Sequence, residues 1–214
     1  THELKTPIAV AYAANDSLLN FPTDTPEKRK EYHLIVQEQL KQLGGLVEQI
    51  LTMSRKEKKA FRLNYETIEL RPMVENIISR QLLKAEKAIS IRLQMEEDIS
   101  VRADRTHLSN MISNLSDNAE KYSDEKADIC IKCQIQGKAC QISVIDKGIG
   151  IPLDKQPFLF NKFYRVPTGN RHDVKGYGLG LYYVKMMAEL HGGSIRVESS
   201  PGKGSTFTLE IPMK

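Results

Sequence analysis

Ile142-Ser143-Val144-Ile145-Asp146-Lys147-Gly148-Ile149-Gly150-Ile151 is the stretch from which the rest of the chain is read. Its first four residues are apolar or β-branched around one serine, as a strand requires. The strand ends in an acid, and two glycines follow. An Asp carboxylate at a strand end can accept a hydrogen bond from an exocyclic amine such as that of adenine. Glycines let backbone approach a ligand closely. Alone, the pattern also fits a strand that simply ends in a turn.

Upstream, residues 104–122 read as a helix with Asp104 at its N-cap. Asn114, Asn118, Lys121 and Tyr122 recur at spacings of four, three and one, and share one side of it. Leu108, Met111, Ile112 and Leu115 lie around from them and can face a sheet. An Asn amide oxygen is a hard, neutral ligand of the kind Mg²⁺ accepts. Lys121 suits a phosphate. Taken alone, the same side also reads as a solvated polar face.

Downstream, Lys175-Gly176-Tyr177-Gly178-Leu179-Gly180-Leu181 stands directly before a helix over residues 178–191. Glycines at a helix start expose N–H groups and the positive dipole end, which favour phosphate. The spacing is neither the dinucleotide fingerprint nor a Walker A loop. Between the two glycine sites, residues 152–175 form a long irregular stretch, as in a functional lid or a disordered segment. Phe158, Phe160, Phe163 and Tyr164 could anchor it, and Arg165 and Arg171 could reach a triphosphate.

Short strands are expected at residues 67–70, 89–93, 100–103, 128–136, 141–145, 194–198 and 205–211, with a helix over 71–88. Strand runs with helices between them imply an α+β layer, a mixed sheet covered by helices on one face. Cys130 and Cys133 form a C-x-x-C, but only Cys140 is near, and positions three apart on a strand face opposite sides. Free thiols are the better reading. His33, His107, His172 and His191 lack metal-like spacing and read as structural or surface groups.

The first 60 or so residues read differently, as two helices. Leu4, Ile8, Ala11, Asn15 and Leu18 alternate spacings of four and three, as do Val36, Leu40, Leu43, Val47 and Ile50. Phe21-Pro22-Thr23-Asp24-Thr25-Pro26 breaks the first seam, with Thr25 as N-cap and Pro26 at the first helical position of the second. The result is an antiparallel hairpin, too thin to bury both seams. Pairing with a second copy into a four-helix bundle is the remedy, with packing on the rest of the chain as the alternative. The arms are unequal, roughly 28 Å against about 50 Å at the helical rise. We therefore expect the first helix to start upstream of Thr1 in a longer chain. On the heptad that places Leu4 at d, His2 and Thr6 point away from the seam. An exposed neutral imidazole is a nucleophile near pH 7, and Glu3 beside it could orient the ring or take its proton.

The 214 residues are 40% hydrophobic and 27% charged, which excludes wholesale disorder and collagen-like repeats. No apolar run approaches the roughly 18 residues of a membrane-spanning helix. A net charge of +4 with mixed signs gives little support to a dedicated nucleic-acid binder. Three cysteines fit a reducing compartment better than a disulfide framework.

The ordered set of His-Glu-x-x-Thr-Pro from His2, Asn-x₃-Asn-Ala-x-Lys-Tyr from Asn114, Asp-x-Gly-x-Gly from Asp146, Phe-x₂-Phe-Tyr-Arg from Phe160 and Gly-x-Gly-Leu-Gly-Leu from Gly176 resembles the bacterial sensor histidine kinases of two-component systems. The resemblance covers essentially the whole chain. It implies a dimerisation and histidine-phosphotransfer hairpin over residues 1–62. A catalytic ATP-binding domain of the GHKL type, an α/β sandwich whose fold is shared with gyrase, follows over 63–214. By the resemblance, His2 accepts the phosphoryl group, Glu3 assists proton removal, and Thr6 helps place water for dephosphorylating the partner. Asn118 ligates Mg²⁺, while Asn114, Lys121 and Tyr122 line the ATP site. Asp146 holds the adenine amine, and Gly148 and Gly150 allow its approach. Phe160, Phe163 and Arg165 form the aromatic motif of the lid. Lys175, Gly176, Gly178, Leu179 and Gly180 meet the phosphates, and Thr206 borders the adenine pocket. The family's fourth motif commonly carries a Gly pair and an internal Ser or Thr, where this chain has Lys175 and Tyr177.

The resemblance further implies autophosphorylation of His2 by Mg·ATP, transfer to an Asp of a response regulator, and phosphatase activity toward that regulator. It implies a homodimer, a cytoplasmic location within a membrane-anchored bacterial protein, and motion of the two domains about residues 60–65. The rival readings are a GHKL-fold ATPase and a non-catalytic dimerising scaffold.

Overall fold

The computed structural model describes residues 2–20, 25–57, 62–85, 87–166 and 178–213, leaving aside the side chains of 2–4, 6, 41, 42 and 45–57. The chain divides into two compact units, Thr1–Phe61 and Arg62–Lys214.

The first unit holds α1 (His2–Asn20) and α2 (Pro26–Glu57), which pack on each other. Thr25 caps α2 as expected: its Oγ1 accepts the Lys28 N–H at 3.4 Å, and its carbonyl accepts the Arg29 N–H at 3.0 Å. On α1 the buried residues are Pro7 and Ala14, with Ala11 and Leu18 half-buried. The expected seam is thus rotated. Ala11 and Leu18 hold their places, but Ile8 and Asn15 are exposed, and the Leu4 side chain lies outside the described ones. The reason is helical period: Pro7, Ala11, Ala14 and Leu18 recur at spacings of four, three and four, and this row is the one turned to the second helix. Ile8, Tyr12 and Leu19 stay 53%, 73% and 71% exposed. On α2, Val36 and Leu43 are half-buried, whereas Leu34 and Leu40 are exposed. Val47 and Ile50 have side chains outside the described ones. A helix with apolar groups beyond its hairpin contact has the wide stripe that a four-helix bundle uses.

The second unit begins with β1 (Tyr65–Glu69), α3 (Leu70–Lys84), β2 (Ala88–Gln94), β3 (Ser100–Asp104) and α4 (Arg105–Lys121). It continues with β4 (Lys126–Gln136), β5 (Ala139–Asp146), a 3₁₀ turn at Gln156–Phe158, α5 (Gly180–Leu190), β6 (Ser194–Ser200) and β7 (Gly204–Pro212). The strands do not form one sheet. β1 and β3 pair antiparallel by themselves, and the other five run in the order β2-β4-β5-β7-β6, with β2 parallel to β4 and the rest antiparallel.

The main sheet has one covered face. Ala127, Ile129, Ile131 and Cys133 of β4 alternate inward, with Ile142 and Val144 of β5 and Leu209 of β7. Leu108, Met111, Ile112 and Leu115 of α4 are all fully buried, so this helix turns its apolar side to the core as its spacing predicts. Val184, Met186 and Met187 of α5 complete the layer. Each such side chain contributes on the order of 1.5–3 kcal/mol by leaving water. The other face is polar: Gln141 Nε2 donates to Glu210 Oε1 at 2.8 Å, and Lys147 Nζ to Asp128 Oδ2 at 2.6 Å. The cap of α4 is as expected, with Asp104 Oδ1 accepting the His107 N–H at 3.1 Å. Gly192 at φ +75° ends α5, its N–H bonded to Glu189 O at 3.0 Å.

α3 is fastened to α4 by a buried polar pair. Ser116 Oγ donates to Gln81 Oε1 at 2.5 Å, and Gln81 Nε2 donates to Ser116 O and to Glu120 Oε2 at 3.1 and 2.8 Å. A buried polar group left without its partner costs more than the pair contributes. Gln81→Met is therefore expected to destabilise the chain by roughly 1–3 kcal/mol in urea unfolding, and adding Ser116→Ala is expected to recover part of that loss. A double variant less stable than the sum of the singles would contradict this.

Candidate functional site

Asp146 ends β5 between Ile129 of β4 and Ser205 of β7. Its Oδ1 accepts two backbone N–H groups, from Gly148 at 2.8 Å and from Ser205 at 3.2 Å. Burial pushes its carboxyl up from the usual carboxylate range, and the two N–H groups pull the other way. The loop behind it has no room for side chains. A Cβ on Gly148 would stand 2.4 Å from Tyr122 O, and one on Gly150, at φ +66°, 1.9 Å from Ser200 O. Ile149 N–H closes the contact by donating to Tyr122 O at 3.1 Å. The C-terminal end of α4 and the Asp-x-Gly-x-Gly loop are thus one bonded structure.

A cavity opens beside Asp146. Asn118, Tyr122, Asp146, Gly150 and Arg165 all line it, so three motifs far apart in sequence meet there. Asn118 is half-buried, and among the described residues its amide has no hydrogen-bond partner. Lys121 is drawn below its usual range to about 8, chiefly by burial and then by the nearby Arg165, while Asp117 opposes the shift. Its Nζ lies 5.8 Å from the Tyr122 ring centroid. Asn114 stands one turn earlier, its Nδ2 donating to Asn110 O at 2.8 Å. It abuts the start of α5: a Cβ on Gly180 would come 2.8 Å from Asn114 Oδ1. Leu179, just before α5, is buried, and Leu181 lines the cavity.

The described part of the irregular stretch carries two ring contacts. Phe160 meets the Phe207 ring edge-on at 6.5 Å, and Phe158 lies 5.8 Å from Tyr164. Phe163 departs from expectation. Its side chain is 53% exposed and does not line the cavity. Its backbone, at φ +66°, packs instead on Gly178, and its N–H donates to Gly178 O at 3.0 Å. Residue 163 therefore works through main chain, bringing the two sides of residues 164–177 together. Lys175 and Gly176, with Arg171, His172 and Tyr177, lie outside the described residues. So do the side chains of His2, Glu3 and Thr6, whose backbone belongs to α1.

Thr206 is corrected by one position. Ser205 and Phe207 line the cavity, and side chains alternate along a strand, so Thr206 turns to the other face with its cross-strand partner Ile145. Counting alternation back from the core residues Phe207 and Leu209 would have found Ser205. The apolar wall of Ile149, Ile151, Leu159 and Val166 carries no comparable sequence signal.

The remaining singled-out residues lie elsewhere. Cys133 and Cys140 are buried thiols pushed up to about 12, while Cys130 is half-exposed on the opposite face of β4. His107 Nδ1 meets Tyr183 Oη at 2.7 Å, and buried His191 accepts the Asp104 N–H at 3.1 Å. His33 is exposed on α2. Among the described residues no cluster of three or more His, Cys, Asp or Glu could hold a metal ion.

Both units of the chain resemble known proteins. Residues 103–214 match the family described as histidine kinase-, DNA gyrase B-, and HSP90-like ATPases, and residues 1–59 match the His Kinase A (phospho-acceptor) domain. The sensor protein RprX of Bacteroides fragilis is 34% identical over 100% of this chain and 42% of its own length. The sensor-like histidine kinase SenX3 of Mycobacterium bovis is 33% identical over 99% of this chain and 52% of its own length. The chain thus spans about half the length of these curated relatives. Among solved structures, the histidine kinase AdeS of Acinetobacter baumannii superposes with a TM-score of 0.75 at 25% identity, covering 100% of this chain and 98% of its own. The histidine kinase ThkA, solved in complex with its response regulator protein TrrA, has a TM-score of 0.71 at 25% identity over 100% of this chain and 59% of its own. With a phospho-acceptor segment followed by an ATPase-type domain, the chain belongs to the sensor histidine kinases.

Proposed function

We propose that the chain is the cytoplasmic kinase portion of a two-component sensor, which phosphorylates its own His2 from ATP and passes the phosphoryl group to an Asp of a response regulator. The observation that carries this reading is the meeting of Asn118, Tyr122, Asp146, Gly150 and Arg165 on one cavity, in a chain that also holds a phospho-acceptor segment with His2. In this reading the adenine amine donates to Asp146, whose Oδ2 is not used by the two backbone donors. The phosphates lie toward Lys121, Arg165 and the start of α5, where Gly178, Leu179 and Gly180 stand at a helix N-terminus, whose first N–H groups have no partner within the helix. Lys175 and Gly176 belong to the same phosphate contact.

Asn118 fits Mg²⁺ as a neutral oxygen ligand. Its amide has no partner among the described residues, and Mg²⁺ bound with a nucleotide takes few protein ligands. When bound there, Mg²⁺ neutralises phosphate charge. Phosphoryl transfer depends on positioning and charge stabilisation more than on covalent work by the protein. His2 attacks the γ-phosphorus, ADP leaves, and Glu3 takes the imidazole proton. Thr6, one turn on, helps place water for dephosphorylating the regulator. The exposed Ile8, Tyr12, Leu19 and Leu40 are the surface that a second copy covers in the homodimer, and the regulator docks on the hairpin.

Incubation with γ-labelled ATP and Mg²⁺ tests the reading. Acid-labile, alkali-stable label is expected on the chain and absent from His2→Ala. Released phosphate without labelling would favour a GHKL ATPase, and absence of nucleotide binding a dimerising scaffold.

A pH profile tests Lys121. Its ammonium loses its proton near pH 8 in the free chain, and bound phosphates favour the charged form. ATP affinity is therefore expected to hold at pH 7 and to fall as pH rises through about 8. Calorimetric titration should show proton uptake there that vanishes in Lys121→Met. An unchanged profile in that variant would remove Lys121 from the phosphate contact.

A further inference from the structure

Ser199 stands on β6 directly across from Ser205 of β7. Its hydroxyl has three neighbours. Ile151 N–H donates to Ser199 Oγ at 2.8 Å, Gly204 O accepts from it at 2.8 Å, and Ser205 Oγ lies 3.0 Å away. A serine hydroxyl carries one proton and two lone pairs. The Ile151 N–H can only donate and the Gly204 carbonyl can only accept. The Ser199 proton is therefore committed to Gly204, and the contact between the hydroxyls uses the proton of Ser205. The amide of Gln156 holds this centre in place, donating to Ile151 O at 3.0 Å and to Ser199 O at 2.9 Å.

The consequence falls on the cavity. Ser205 lines it beside Asp146, and with its proton turned to Ser199 it shows only lone pairs inward. Asp146 has spent Oδ1 on two backbone N–H groups, and Oδ2 remains an acceptor. This wall offers two acceptors side by side. An exocyclic amine brings two N–H donors and satisfies both, whereas a 6-oxo purine sets a carbonyl oxygen against them. Buried acceptors facing an acceptor are strongly discriminating, because neither can be paired.

We infer that Ser199 is a positioning residue for base specificity: by holding the Ser205 proton it keeps this wall all-acceptor and selects 6-amino over 6-oxo purine nucleotides. This rests on the purine placement proposed above. Ser199 itself does not line the cavity.

The test is binding of ATP and of inosine triphosphate to the whole chain by calorimetry. The wild type is expected to prefer ATP by about tenfold or more, the worth of one mismatched hydrogen bond. In Ser199→Ala the Ser205 proton is released and can turn inward. The preference should fall by about tenfold, with inosine triphosphate binding more tightly in absolute terms. Ser199→Thr keeps the hydroxyl and should keep the preference. Equal weakening of both nucleotides in Ser199→Ala would make Ser199 merely structural and overturn the inference. Should Ser199→Ala not fold, Ser205→Ala serves instead: it removes one acceptor and should narrow the preference, and an unchanged ratio overturns the inference. A wild type that binds ATP and inosine triphosphate alike sinks this inference alone, whereas one that binds neither sinks the nucleotide site with it.

Discussion

The site depends on one carboxylate oxygen. Asp146 Oδ1 accepts N–H groups from two separate segments, Gly148 two residues on and Ser205 across the sheet. That pair of bonds fixes where β5 ends, how the glycine loop turns and how β7 begins. A buried carboxyl is costly unless it is hydrogen-bonded. Backbone donors meet that cost without occupying the second oxygen, which is why a buried acid at this strand end can serve both the fold and a ligand.

The rest of the site is assembled by close approach to this point. Gly148 lies against the Tyr122 carbonyl, Gly150 against Ser200, Gly180 against Asn114 and Gly178 against the Phe163 backbone. Each glycine marks a place where two segments touch and a Cβ would hold them apart. The motif spacings are therefore packing constraints as well as chemical ones. The hairpin obeys a different rule. On α1 the row Pro7, Ala11, Ala14 and Leu18 serves the contact with α2, while Ile8, Tyr12 and Leu19 stay exposed beside it.

Elements with a strong period were legible in the sequence. The α4 apolar set, the Asp104 cap and the strand over residues 128–136 all follow from local sequence and are found as expected. What was not legible depends on partners distant in sequence. The seam of α1 turned because the close contact chose Pro7 and Ala14 over Ile8 and Asn15, a choice made by the opposing helix. β1 and β3 pair apart from the main sheet, and no local pattern distinguishes the two cases. Thr206 was one residue off because the resemblance located the strand but not its register, which the cross-strand pairing sets. Phe163 looked like an aromatic anchor, yet its side chain is exposed and its positive φ is the feature that matters. The hydroxyl of Ser199 joins three segments that sequence spacing does not connect.

The claim that Asp146 carries both structure and ligand recognition can be separated by one isosteric change, Asp146→Asn, with ATP binding and thermal unfolding measured on the same sample. The amide oxygen of Asn can still accept the Gly148 and Ser205 N–H groups, so the unfolding midpoint should stay close to the wild type. The amide nitrogen then replaces Oδ2 and opposes a donor with a donor, so ATP binding should be lost. ATP binding at wild-type affinity would contradict the account, and so would a variant that loses binding only because it unfolds.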